Sequence, residues 1–380
     1  MKAKILRAFG FATLLVLAVT YGMAAYKFEL PPYTFIKLIA DFAGAATPKE
    51  FVTTPQEYLA TDVAGLISIK RQDDVIRLRR ELIRFLWGTP GLSSALPSTL
   101  EHDIKDRRYD DISSSFTRID KLGIVMEHGL ESNVYHFISK TPNNQVVLYH
   151  EGHNNDFYAS KAQIKKFLDA GYSVAAFAMP LAGLNNQPTV QIPMQGLLKM
   201  TTHDHMKFLV PENGHPIKYF VEPVVIVLNY LAANFGYASV SMVGISAGGW
   251  VTTLAAAVDP RIVKSFPVAG SYPIYLRSNS QRDWDDYEQT VPELFRTANY
   301  LELYILGSNG VGRKQTQIIN QYDPCCFAGT KSETYKDIVK TRVHDVGPGA
   351  FDLFLDASHR KHVISDVAMS RIIDELGNGE

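Results

Sequence analysis

Short, wholly apolar runs alternate with amphipathic stretches along most of this chain. Gln145-Val146-Val147-Leu148-Tyr149 and Val174-Ala175-Ala176-Phe177-Ala178 carry almost no polar positions, which predicts strands buried on both faces. Between them, Tyr158 to Ala170 has helical spacing and stops at Gly171. Residues 122–139 alternate apolar and polar, predicting two antiparallel strands that turn around His128-Gly129. A helix is expected over 216–235, a strand at Val240-Ser241-Met242-Val243, and an alanine-rich helix from about Gly249-Trp250-Val251. Further on, Asn299 to Gly307 reads as a helix, and strand character returns at Gln315–Asn320 and Ala350–Leu355. Ser365 is a suitable N-cap for a last helix with Ala368, Ile372 and Leu376 on one face and Gly377 at its end. Strands alternating with helices imply an α/β fold, a mostly parallel central sheet with helices on both faces. Ligands of such sheets bind beyond the carboxyl ends of the strands.

Two stretches depart from this rhythm. From 48 to about 110 the pattern is helical, with Ile76, Leu78, Leu82, Ile83 and Leu86 as an apolar stripe. Arg77, Arg79, Arg80 and Glu81 then read as a solvated face, and the segment Pro90 to Pro97 breaks the helix. Residues 181–214 have no clear period and are too long for a plain connection, so they are expected to form a lid or substrate-binding insertion. The organisation that follows is a hydrophobic segment at 1–30, a linker at 31–47, a helical region at 48–117 packing on the core, and an α/β domain at 118–380.

The first segment has its own signature. Lys2, Lys4 and Arg7 precede an uncharged, apolar stretch from Ala8 to Tyr26. That length suits a transmembrane signal anchor with the N-terminus cytoplasmic and the remaining chain on the other side. Cleavage as a signal peptide within Ala18–Ala25, releasing a secreted protein, is the alternative.

Composition narrows the function classes. The 380 residues are 46% hydrophobic and carry 38 Lys and Arg against 39 Asp and Glu, a net charge of −1. No basic run is long enough to follow a phosphate backbone, so a nucleic-acid partner is not expected. The only cysteines are the adjacent Cys325 and Cys326, which exclude a disulfide framework and a thiolate zinc cluster. Two buried thiols are the favoured reading of the pair. His150-Glu151-Gly152-His153 and His203-Asp204-His205 offer metal-ligand residue types. The first lacks an obvious third ligand and the adjacent residues of the second seldom converge on one ion, so neither a metal nor an organic cofactor is expected. The second cluster is read as a hydrogen-bonded turn of the insertion.

Chemistry concentrates at Gly244-Ile245-Ser246-Ala247-Gly248, between the strand at 240–243 and the alanine-rich helix. A G-x-S-x-G sequence in that setting describes a nucleophile elbow, a strained turn that leaves the serine Oγ projecting. The helix beneath it offers backbone N–H groups to a developing oxyanion.

With His150-Glu151-Gly152-His153-Asn154 directly after the strand at 145–149, the chain resembles the serine esterases and lipases of the α/β-hydrolase superfamily. The resemblance covers about residues 120–380. It implies Ser246 as nucleophile, with oxyanion donors at Ala247 and at Gly152 or His153, the register being unsettled because Glu151 stands where glycine is common. The family order of serine, acid, histidine implies Asp323, at a strand end before Pro324, as the acid. Asp352, Asp356 and Glu288 are its rivals. It implies His362 as the base, with His359 as the alternative. The expected reaction is hydrolysis of a carboxylester through an acyl-enzyme, acting on a small-molecule, lipid or polysaccharide ester. An acyltransferase, or a scaffold that keeps the fold without turnover, stays open.

Overall fold

The computed structural model describes residues 13–14, 17–25, 31, 49–153, 156–277, 284 and 286–377. The chain divides into Met1–Val52 and Thr53–Glu380. The segment expected to be an anchor lies largely outside the described residues, as does the linker; the described part of it, 13–14 and 17–25, is helical. Among the described residues no helix is long and apolar enough to cross a membrane.

In the second unit a nine-stranded sheet runs in the order β1-β2-β3-β5-β4-β8-β9-β10-β11. The strands are β1 (Thr99–Glu101), β2 (Phe116–Val125), β3 (Glu131–Ser139), β4 (Gln145–His150), β5 (Ser173–Phe177), β8 (Ser239–Ile245), β9 (Ile262–Val268), β10 (Lys314–Asn320) and β11 (Ala350–Asp356). A separate hairpin joins β6 (Thr189–Ile192) to β7 (Gly196–Lys199). β1, β2, β3 and β5 pair antiparallel, and every pair from β5 through β4, β8, β9 and β10 to β11 is parallel. The buried strands alternate strictly between two cores. Val146, Leu148, Ala175, Phe177 and Met242 join one cluster, and Val147, Tyr149, Val174, Ala176 and Val243 the other. This is why the runs carry no polar face.

The longer helices are α1 (Gln72–Trp87), α2 (Lys161–Asp169), α3 (Lys218–Asn234), α4 (Ala247–Val258), α5 (Tyr300–Ser308), α6 (Lys336–Val346) and α7 (Asp366–Gly377). α2 and α7 contribute to the second cluster, and the other five to the first. α1 begins where the Asp74 carboxylate accepts the amides of Lys70 and Arg71, each at 3.0 Å, and ends at left-handed Gly88, φ 70°.

Several expectations change. The stripe of α1 is Val75, Leu78, Leu82, Ile83 and Leu86, while Ile76 is exposed. Val75 stands three residues before Leu78 and so shares its face. Arg79 does not belong to a solvated face: half-buried, its Nε donates to Ala257 O at 2.9 Å and its Nη2 to Leu306 O at 2.7 Å. Both carbonyls lie in the last turns of α4 and α5, where the helix leaves them without partners. Arg313 closes the same gap, donating to Ala256 O at 2.6 Å and Leu306 O at 3.0 Å. The region before residue 118 is not wholly helical, since β1 and the start of β2 belong to the sheet. The 181–214 insertion contains β6, β7 and the helical turn His203–Met206.

Candidate active site

β8 delivers Ser246 to the carboxyl edge of the sheet, where α4 departs at once. Ser246 adopts φ 57° and ψ −126°, a left-handed conformation that costs a non-glycine residue about 1–3 kcal/mol. The turn is held by Ser246 N–H donating to Val268 O at 2.9 Å and by Trp250 N–H donating to Ser246 O at 3.0 Å. The glycines two positions either side are enforced by contact. A Cβ on Gly244 would stand 2.2 Å from Gly248 O, and one on Gly248 would stand 2.2 Å from His150 O.

Asp323 follows β10 and is 1% exposed. Its Oδ1 accepts the amides of Cys325 at 2.7 Å and Cys326 at 3.3 Å. Its Oδ2 accepts from Asn320 Nδ2 at 3.2 Å and lies 2.7 Å from His362 Nδ1. A carboxylate at Nδ1 makes that nitrogen the donor and leaves Nε2 with the lone pair. Asn320 Nδ2 also donates to Val363 O at 3.0 Å, tying the end of β10 to the histidine loop. That loop ends at Ser365, whose Oγ accepts Ala368 N–H at 2.9 Å as α7 begins.

The rival residues are engaged elsewhere. His359 Nδ1 accepts Lys361 N–H at 3.1 Å, and its Nε2 lies 3.4 Å from Asp356 Oδ2. Asp356 further accepts the Ser358 amide at 2.9 Å and the Ser365 hydroxyl. Asp352 pairs with Arg371 at 2.7 Å. Glu288 lies with two histidines, described below.

A cavity of about 660 Å³ joins Ser246, His362, Gly152, His153 and His203, with Cys325 and Cys326 in its wall. The two sulfurs form a disulfide, contrary to the expectation of two thiols. The turn that presents both amides to Asp323 Oδ1 also leaves the adjacent side chains together.

The loop after β4 packs directly on the serine, for a Cβ on Gly152 would stand 2.9 Å from Ser246 Cβ. The Gly152 amide donates to Glu151 Oε1 at 3.0 Å. Burial dominates at Glu151 and raises its pKa, against hydrogen bonds from Ser160 and Gly152 that lower it. The Ala247 amide opens α4 and has no partner within the helix.

His153 and His203 come from different segments of the cavity wall and meet Glu288 behind it. Burial disfavours charge on His203, but the Glu288 carboxylate outweighs it and raises the histidine's pKa. Burial would raise Glu288, and the two histidines reverse this and hold it well below the usual carboxylate range. The sequence holds no local signal of this group, because Glu288 is 135 residues from His153.

No protein-family model and no curated protein matches the chain. Solved structures do. Acetyl xylan esterase 1 from Thermoanaerobacterium sp. JW/SL YS485 aligns over 86% of this chain and 100% of its own, with a TM-score of 0.52 and 13% identity. The glucuronoyl esterase from Solibacter usitatus covers 83% of this chain and 93% of its own, with a TM-score of 0.49 and 12% identity. The Pyrococcus furiosus esterase Pf2001 covers 74% and 96%, with a TM-score of 0.47 and 15% identity. The chain has an α/β-hydrolase fold. Within that fold the elbow serine stands at the end of β8, the buried acid just after β10, and the histidine between β11 and α7.

Proposed function

We propose that this protein is a serine esterase that cleaves a carboxylester through an acyl-enzyme. The observation that carries the reading is the His362–Asp323 pair at 2.7 Å, with His362 lining the same cavity as the left-handed Ser246. In the proposed cycle Ser246 Oγ attacks the ester carbonyl carbon and His362 Nε2 takes the hydroxyl proton. The tetrahedral oxyanion collapses, and the leaving alkoxide receives that proton from His362. Water then attacks the acyl-serine by the same route in reverse, releasing the carboxylic acid and free Ser246. Asp323 holds the imidazole tautomer and stabilises its charged form. The oxyanion lies at the Ala247 amide and the Gly152–His153 loop; since the Gly152 amide already faces Glu151, the loop donor in this reading is His153 N–H. Each such donor contributes a few kcal/mol to the barrier.

The fold shared with an acetyl xylan esterase is in keeping with ester chemistry. A cavity of this size suits a small-molecule ester or one ester group on a carbohydrate or lipid. The basic residues ahead of the apolar N-terminal stretch favour an extracytoplasmic location for the hydrolase unit, either anchored or released. A fluorophosphonate probe tests the nucleophile. Labelling of the wild type and its loss in Ser246→Ala are expected, and labelling that persists in Ser246→Ala removes the assignment. p-Nitrophenyl esters of increasing acyl length then define the pocket.

A further inference from the structure

One wall of the cavity is built from three segments that the fold brings together around a small triangle of donor atoms. His153 follows β4, His203 opens the helical turn in the insertion, and Glu288 lies in the turn Tyr287–Thr290. His153 Nε2 is 2.8 Å from Glu288 Oε1, His203 Nδ1 is 3.1 Å from the same oxygen, and the two nitrogens are 3.1 Å apart. A cation about 2.1 Å from each of these atoms would stand roughly 1 Å above their plane, as in a three-ligand site with an open fourth position.

Other features of the cluster point the same way. Glu288 is fully buried, and among the described residues its Oε2 has no hydrogen-bond partner. A buried, half-satisfied carboxylate is costly unless a charge lies beside it. His203 Nε2 donates to Pro180 O at 3.0 Å. A carbonyl behind one ring nitrogen fixes the other as the lone-pair side, which is how metal-binding histidines are oriented. Phe220 packs edge-on against the His203 ring at 5.0 Å, giving the site an apolar back. Asp286 Oδ1, 3.5 Å from His153 Nε2, adds a second carboxylate beside the cluster.

We propose that His153, His203 and Glu288 form a binding site for a divalent transition-metal ion, of which zinc is the type, at the wall of the cavity that contains Ser246. Two imidazoles and a carboxylate suit zinc and its first-row neighbours rather than magnesium or calcium. The ion joins the 181–214 insertion to the 287–290 segment and so holds the cavity wall in one arrangement.

The test uses the full-length protein, purified without a histidine tag and stripped with a chelator. Exposure to zinc is expected to restore one equivalent by elemental analysis and to raise the thermal midpoint, as a ligand that binds only the folded state must. Cobalt is expected to give the visible bands of a low-coordinate nitrogen and oxygen site. His203→Ala and Glu288→Gln should each weaken zinc binding by more than the ~10–100-fold typical of losing an outer partner. His344→Ala, at an exposed histidine, should bind as the wild type does. Stripped wild-type protein that keeps its circular dichroism yet takes up neither zinc nor cobalt overturns the proposal, and the cluster is then a hydrogen-bonded latch only. Uptake that is unchanged in both ligand variants overturns it equally. Ser246→Ala should bind zinc normally, so failure of the esterase reading and failure of this one are separable.

Discussion

Asp323 is closed to solvent on both oxygens, with His362 Nδ1 at 2.7 Å from one and two backbone amides on the other. An amide in its place would keep the shape and lose the acceptor that fixes the imidazole. Asp323→Asn is expected to lower kcat on p-nitrophenyl acetate by on the order of 10⁴-fold with little change in KM. A kcat within tenfold of the wild type would remove Asp323 from the orienting role.

The two loop histidines make opposite predictions. His362→Ala should cost several orders of magnitude in kcat/KM, on the order of the ~10⁶ seen when a triad base is removed. His359 faces Asp356 rather than the serine, so His359→Ala should leave kcat within about tenfold and act on stability by about 1–2 kcal/mol. Steady-state kinetics and a urea titration on both variants decide it, and reversed effects would exchange the roles.

Gly248 tests the close approach beneath the elbow. A methyl group there meets His150 O at 2.2 Å and Glu151 O at 2.5 Å, both backbone atoms that cannot swing aside. Gly248→Ala should destabilise by about 3 kcal/mol or more. Gly91, with nothing within 4 Å of an added Cβ, should change by less than about 0.5 kcal/mol. Equal thermal midpoints for the two variants would refute the packing argument.

Acid should act on the fold through His136. Its ring is fully buried on β3, with Nε2 3.0 Å from the Tyr237 hydroxyl and Phe235 edge-on at 4.6 Å. Burial is the main cause that pushes its pKa down to about 3, with Asp120 raising it and Arg118 lowering it. The unfolded chain therefore takes up a proton near the ordinary value of about 6.5 while the folded chain refuses it. Stability contributed by the neutral ring is complete above that value and is lost as pH falls toward about 3. A slope of about 1.4 kcal/mol per pH unit is expected from this group. His136→Gln should be less stable than the wild type at neutral pH, with the gap closing on acidification. Urea curves that stay parallel between pH 7 and 4.5 would refute the assignment.

The parts that could be read from the chain were those that local physics decides. β4, β5 and β8 show as apolar runs because both their faces are buried, and the elbow shows because only glycine fits around Ser246. Asp323 and His362 are singled out by their order along the chain, with Ser365 marking the start of α7, and the fold brings their side chains to 2.7 Å. β9 was missed because Lys264, Ser265 and Pro267 interrupt its apolar pattern. Arg79 was misplaced because a guanidinium that caps two helix ends looks, in sequence, like one in water. The meeting of His153, His203 and Glu288 had no local trace, since it depends on how the insertion returns to the sheet.

The clasp made by Arg79 has a practical reach. A fragment begun at residue 118 would begin inside the sheet, lose β1 and the first residues of β2, and uncover the side of α4 where Val75, Leu78 and Leu82 belong to one core with Trp250 and Leu254. It would also leave Ala257 O without its guanidinium partner, at the far end of the helix that starts beneath Ser246. The smallest piece that can be cut out intact therefore starts ahead of Val63, and the residues ahead of the α/β alternation are part of the same folded body.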